Sequence, residues 1–212
     1  MPRPVNHDER KRRIVAESVK LFARFGFSET NFGMIAAKSG ISRTLLYTYF
    51  KDKREIFNAA IDEVTSRIAI KHIETMRSHE SVDTKLREIC AAVFAMLFEN
   101  RDFVCVIADV LTSYRRSGSI PIDKVKRHTA GMKRILVSLL EEAVARGEYR
   151  ADLSIERAAE LIYSQFEASV LRLALTGGAE IGEAIDRMNG ILSAVKAPVR
   201  RANVALTYNA GK

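Results

Sequence analysis

Arg43, Thr44, Tyr47 and Thr48 fall at i, i+1, i+4 and i+5 within "SGISRTLLYTYFKDK", Ser39 to Lys53, so a helix there would carry all four on one face. Their chemistry suits the edge of a nucleic acid. An arginine fork can bond guanine O6 and N7 together, and Thr44 and Leu45 offer methyl surface to thymine. Tyr47 and Tyr49 hold hydroxyls on rigid stems suited to phosphate oxygens. Lys53, opening a following helix, adds charge and dipole to a phosphate clamp. The alternatives are aromatic packing between helices for the tyrosines and a solvated surface charge for Arg43 and Lys53.

Such a face needs elements to aim it. Ser42 is an N-cap for a short helix from Arg43 to about Tyr49, and Asn31 is an N-cap for another ending at Ser39. Gly40 between them can take a positive φ, and two short helices joined by "SGI" make a helix-turn-helix, whose second helix enters the major groove. Ile35, Ala36, Ile41 and Leu46 would close it against an amphipathic helix from Asp8 to Phe25, with Ile14, Leu21, Phe22 and Phe25 as its apolar positions. Asp52 and Glu55 form an acidic capping box opening a fourth helix, Lys53 to about Arg77. Further helices are predicted at about Val82 to Glu99, Arg101 to Arg115, Pro121 to Arg146, Ser154 to Thr176 and Ile181 to Lys196.

The charge agrees with that placement. Residues 1–53 hold 11 Lys and Arg against 5 Asp and Glu, a charge of +6, whereas the remaining 159 residues carry only +2 of the total of +8. A basic head points to double-stranded DNA as partner before an anionic membrane. No apolar run approaches the roughly 18 residues of a membrane span, and the N-terminus lacks a signal peptide's apolar segment, so a cytoplasmic location without membrane attachment is expected. Cys90 and Cys105 sit in apolar helical surroundings, as buried thiols do. Enzymatic signatures such as G-x-S-x-G, H-E-x-x-H or a phosphate-binding glycine loop are absent. The four histidines show no strong metal-ligand spacing, so neither catalysis, a cofactor nor a metal is expected.

Three blocks in register carry a resemblance. Ile14-x-x-x-Ser18-x-x-Leu21-Phe22-x-x-x-Gly26-Phe27 is followed by Thr30-Asn31-x-x-x-Ile35-Ala36-x-x-x-Gly40-Ile41-Ser42 and by Leu46-Tyr47-x-Tyr49-Phe50-x-x-Lys53-x-x-Ile56. Together they resemble the DNA-binding domain of the TetR family of transcriptional regulators. With four prolines and 11 glycines in 212 residues the chain is expected to be all-α, and the tail at 198–212, opening on helix-ending Pro198, to be mobile. The resemblance implies a three-helix DNA-binding domain at 1–53 and a larger helical ligand-binding and dimerisation domain at 54–197. DNA contacts would come from Asn31, Ser42, Arg43, Thr44, Leu45, Tyr47, Thr48, Tyr49 and Lys53. It also implies a homodimer joined by its last two long helices, here through Leu161, Ala168, Leu175, Ile181, Ile185, Met188 and Leu192.

Phe94, Phe98, Phe103, Tyr114, His128, Met132, Tyr163 and Phe166 would line a cavity for an unidentified small-molecule effector, ordinary core packing being the competing reading. The expected function is a repressor of a palindromic operator, released by that effector; the alternative is a DNA-binding regulator without one. The sequence departs from the family pattern at Glu17-Ser18, at Ser39, at Thr44-Leu45 and at Gly33, so no family consensus operator can be assumed.

Overall fold

The computed structural model describes residues 7–117, 122–176 and 180–196, with backbone alone at 113–117; the expected tail and the Tyr114 side chain lie outside the described residues. Among them are nine α-helices and no strand: α1 (His7–Phe25), α2 (Phe32–Ser39), α3 (Arg43–Tyr49), α4 (Lys53–Arg77), α5 (Val82–Glu99), α6 (Arg101–Ser117), α7 (Asp123–Ala145), α8 (Ile155–Thr176) and α9 (Ile181–Lys196). The predicted bounds for α2, α3, α4, α5 and α9 coincide with these, and the others differ by one or two residues. None of the described helices is long and apolar enough to cross a membrane.

Two hydrophobic cores divide the molecule. The first joins Ile14, Phe22, Ile35, Leu46 and Phe50 of the head to Ile56, Phe57 and Ile61 of α4, and it also takes in Phe103, Val106 and Val110 of α6. Apolar positions at i, i+3 and i+7 give α6 a stripe that lies on α1. The head's core therefore runs beyond residue 53 and borrows a face from a helix fifty residues away. Phe25, read as inward-facing, is instead 43% exposed, with the Arg24 guanidinium 5.0 Å from its ring centre.

The second core lies among α5, α7, α8 and α9, around Phe94, Leu139, Ile162, Met188 and Leu192. Its lower end is pinned by polar bonds. The Glu148 carboxylate accepts from the Val82 and Asp83 amides at 3.0 Å each, satisfying two donors at the start of α5. Asp83 in turn accepts from Tyr149 at 2.8 Å and from Arg87 at 3.0 Å, while Arg87 reaches Asn189 of α9 at 2.8 Å. Burial pulls the Asp83 carboxyl upward, but the bonds from Arg87 and Tyr149 outweigh it and leave its pKa lowered. Burial pushes the Cys90 thiol up to about 12, so it is an inert core group; Cys105 is only half-buried.

Candidate nucleic-acid interface

The helix-turn-helix is built by its caps. Asn31 Oδ1 accepts from the Met34 amide at 3.1 Å and fixes the start of α2. Gly40 closes α2 in the left-handed region at φ 68°, its amide bonding back to Ala36 and Ala37, which reverses the chain within one residue. Ser42 Oγ then accepts from the Leu45 amide at 3.1 Å and starts α3. The side-chain oxygens of Asn31 and Ser42, expected at DNA, thus serve as caps.

Leu46 and Phe50, buried to 0% and 3% exposure, hold one side of α3 against the head's core. The opposite side presents Arg43, Thr44, Tyr47 and Thr48 to solvent, with Leu45 half-buried at its margin. Tyr47 is 55% exposed, yet its ring packs 4.8 Å from that of Phe32, so packing orients a phenol that still faces outward. Tyr49 stacks on His7 at 4.5 Å. Thr48 is exposed and its hydroxyl donates to the Leu45 carbonyl at 2.7 Å. A β-carbon at Gly33 would stand 3.1 Å from Asn31 Oδ1, the capping oxygen, and at ordinary contact distance, 4.0 Å, from the Arg43 guanidinium, so this glycine relieves crowding at the cap of α2. Lys11, Arg12, Arg13, Lys38, Lys51 and Arg54 are exposed elsewhere on the head and α4's first turn, extending the positive field.

Lys53 has a different task from the phosphate clamp expected of it. Its Nζ donates to the carbonyls of Phe27 at 2.8 Å, Ser28 at 2.7 Å and Thr30 at 3.1 Å, and it lies 4.9 Å from the Phe27 ring centre. An ammonium has three donors, and all three are engaged. Desolvation lowers its pKa, partly opposed by Glu29. Lys53 therefore holds the turn between α1 and α2, and any role toward phosphate would cost it one of these bonds.

The seven expected effector residues whose side chains are described do not converge. Phe94 and Phe166 are buried and packed ring to ring at 5.1 Å, with Tyr163 6.3 Å beyond Phe166; these are core contacts. Tyr163 donates to Thr129 at 2.9 Å under the Lys133 ammonium, Met132 is half-buried beside the same core, and His128 is on the surface. Phe98 and Phe103 lie elsewhere, in a cavity of about 400 Å³ where α1, α4 and the α5–α6 junction meet. Val19 and Val64 complete its apolar floor, and charged side chains including Lys20, Glu63, Arg67 and Asp102 form its rim. A second cavity, about 370 Å³, lies between α4 and α7 beside His72 and Ile135. Among the described residues no group of three His, Cys, Asp or Glu is placed to hold a metal.

The expected dimer contacts also separate. Leu161, Ala168 and Leu175 are exposed on one side of α8, joined by Leu171 at 58%, and Ile181 is 39% exposed. Met188 and Leu192 belong instead to the protomer's own core at 2% and 0% exposure, with Ile185 half-buried against it; the periodic stripe on α9 is its inward face. Periodicity gives a helix's apolar face but not the surface it meets.

Sequence reasoning passed over Asp109, on α6, whose Oδ2 accepts from the Phe27 amide at 3.1 Å. A carboxylate among the polar positions of an amphipathic helix carries no local sign of a partner 82 residues away.

The family model "Bacterial regulatory proteins, tetR family" matches residues 14–60, and "Tetracyclin repressor-like, C-terminal domain" matches residues 83–188. The HTH-type transcriptional repressor ComR of Escherichia coli (strain K12) is 29% identical over 150 residues, covering 69% of this chain and 70% of that protein. A fatty acid metabolism regulator protein of Bacillus subtilis (strain 168) is 22% identical over 157 residues, 74% of this chain and 79% of that protein. In fold, the chain superposes on the transcriptional regulator FadR from Bacillus subtilis in complex with stearoyl-CoA with a TM-score of 0.72 at 18% identity, over 89% of this chain and 98% of that one.

Proposed function

From the premise that this chain belongs to the tetR family of bacterial regulatory proteins and is a transcriptional regulator, we propose that it acts as a homodimeric repressor of a palindromic operator, released by a small-molecule effector. The observation that carries the reading is the outward face of α3, where Arg43, Thr44, Tyr47 and Thr48 share one exposed side of a capped helix in a basic head. Arg43 would read guanine, Thr44 and Leu45 thymine methyls, and Tyr47 and Tyr49 phosphates, with the functional boundary between head and body near residue 53. Leu161, Ala168, Leu171 and Leu175 would meet a second copy.

The effector would occupy the cavity floored by Phe98 and Phe103. It touches α1 on one side and α4 and the α5–α6 junction on the other, so a molecule larger than this space would change how the head sits on the body. An apolar body with a polar end fits that floor and rim. The complex of FadR with stearoyl-CoA makes acyl compounds the first class to try. The close packing of Phe94 on Phe166 favours the alternative, a regulator without a small-molecule effector; a saturable ligand that dissociates the DNA complex would exclude it.

The test is enrichment of fragmented genomic DNA on the purified protein at about 0.15 M salt, where non-specific phosphate attraction is already weakened. A few enriched fragments sharing an inverted repeat are expected. No enrichment overturns the operator reading.

A further inference from the structure

The turn from Gly26 to Thr30 hands α1 over to α2, and groups outside α1, α2 and α3 grip it from both polarities. Lys53 engages three of its carbonyls, as described. Asp109 engages its amide side: Phe27 N–H donates to Asp109 Oδ2 at 3.1 Å, and a β-carbon on Gly26, which holds φ at 82°, would stand 3.6 Å from the same oxygen. The Phe27 ring below is 4% exposed, wedged 5.1 Å from Phe22 and 5.5 Å from Phe57. Asp109 comes from α6, the helix whose Phe103, Val106 and Val110 enter the head's core.

These contacts differ in what they fix. The apolar side chains of α6 are close-packed in the head's core and resist displacement, but their burial carries no preferred direction. A hydrogen bond to a carboxylate weakens steeply as its angle departs from linear, and bonds to ionised acceptors are roughly twice as strong as neutral ones. The bond from Phe27 to Asp109 therefore sets the position of α6 along the head, and it does so at the turn from which α2 and α3 depart.

We propose that Asp109 is a positioning residue for DNA binding: a carboxylate of the body that fixes the α1–α2 turn and thereby the direction in which α3 is presented. The proposal rests on α3 being the helix that reads DNA. An α6 displaced from the turn loses this bond, so Asp109 ties the presentation of α3 to the position of α6.

The experiment uses the full-length protein with an operator fragment obtained by enrichment and a shuffled duplex of equal length. Asp109→Leu removes the acceptor at similar volume, and Asp109→Asn keeps an oxygen in place. The readouts are the ratio of operator to shuffled affinity, amide exchange at Phe27, and the thermal midpoint. For Asp109→Leu the ratio should fall roughly 5- to 150-fold, the usual span of coupling between sites, with shuffled binding unchanged and Phe27 exchanging faster. Asp109→Asn should recover most of the ratio. If the Leu variant does not fold, Asp109→Ser, too short to reach the amide, replaces it with the same expectation. An unchanged ratio with a lowered thermal midpoint would make Asp109 a stability residue and overturn the proposal. Arg43→Ala is the control: if it too leaves the ratio unchanged, the reading of α3 fails instead.

Discussion

The outward faces of α3 and α8 are both exposed in the protomer, and they are chemically opposite. α3 turns out an arginine, two threonines and a tyrosine, whereas α8 turns out Leu161, Ala168, Leu171 and Leu175, the last 75% exposed. Water solvates the first face well, so a partner must replace those hydrogen bonds in kind and release counterions, which makes the contact salt-dependent. The second face gains by leaving water at about 25 cal/mol per Å², with little response to salt. Exposure alone thus says little about function; the chemistry of what is exposed distinguishes a polyanion from an apolar surface.

That contrast can be broken first at α8. Leu171→Glu combined with Leu175→Glu should convert the proposed dimer to monomer in sedimentation equilibrium and lower operator affinity about 10²- to 10⁴-fold through lost bivalency, with the thermal midpoint of the protomer little changed. A double variant that stays dimeric would place the interface elsewhere. Within the head, Lys53→Ala should lower stability by about 1–3 kcal/mol in urea unfolding, because three carbonyls lose a charged donor, and DNA affinity should fall with it. Tyr47→Phe, by contrast, should weaken binding to all sequences while leaving stability alone.

Arg43→Ala should cost about 1–3 kcal/mol at guanine-bearing operator positions and flatten the preference there, which a panel of operator variants measures. Ser39→Ala should raise stability by about 1 kcal/mol, since Ser39 Oγ is buried without a hydrogen-bond partner among the described residues. The smallest effect concerns pH. The folded pKa of Asp83 lies below its unfolded value of about 3.9. Its contribution is complete above that value and is lost as pH falls through the lower, folded pKa. Asp83→Asn should therefore cost up to about 1 kcal/mol at pH 7, with the difference fading as pH falls through the lowered, folded value.

The head was far more legible than the body, for a local reason. Asn31, Ser42 and Asp52 accept from amides, and the Gly40 amide donates to carbonyls, all within a few residues, so caps and turn follow from neighbours in the chain, and α3 and α4 begin where those caps place them. Of the two buried serines that depart from the family pattern, Ser18 satisfies its hydroxyl on the Ile14 carbonyl at 2.7 Å, a bond its helix supplies, while Ser39 finds none. The body's helices are punctuated as well, Ser81 Oγ accepting from the Thr84 amide at 3.1 Å and Gly147 taking φ 72°, but periodicity cannot say whether Met188 and Leu192 meet a partner or their own core.

By itself the sequence determined the helical class, the nine elements, the capped helix-turn-helix, the basic head and the family, because each is written in residues a few positions apart or in composition. The tertiary structure alone decided that α6 completes the head's core, that Phe98 and Phe103 face a cavity while Phe94 and Phe166 fill one another's space, and that Lys53 and Asp109 grip the same turn from opposite sides. Those outcomes depend on which surfaces meet across tens of residues, and a side chain's type constrains its partner's chemistry without fixing the partner's place in the chain.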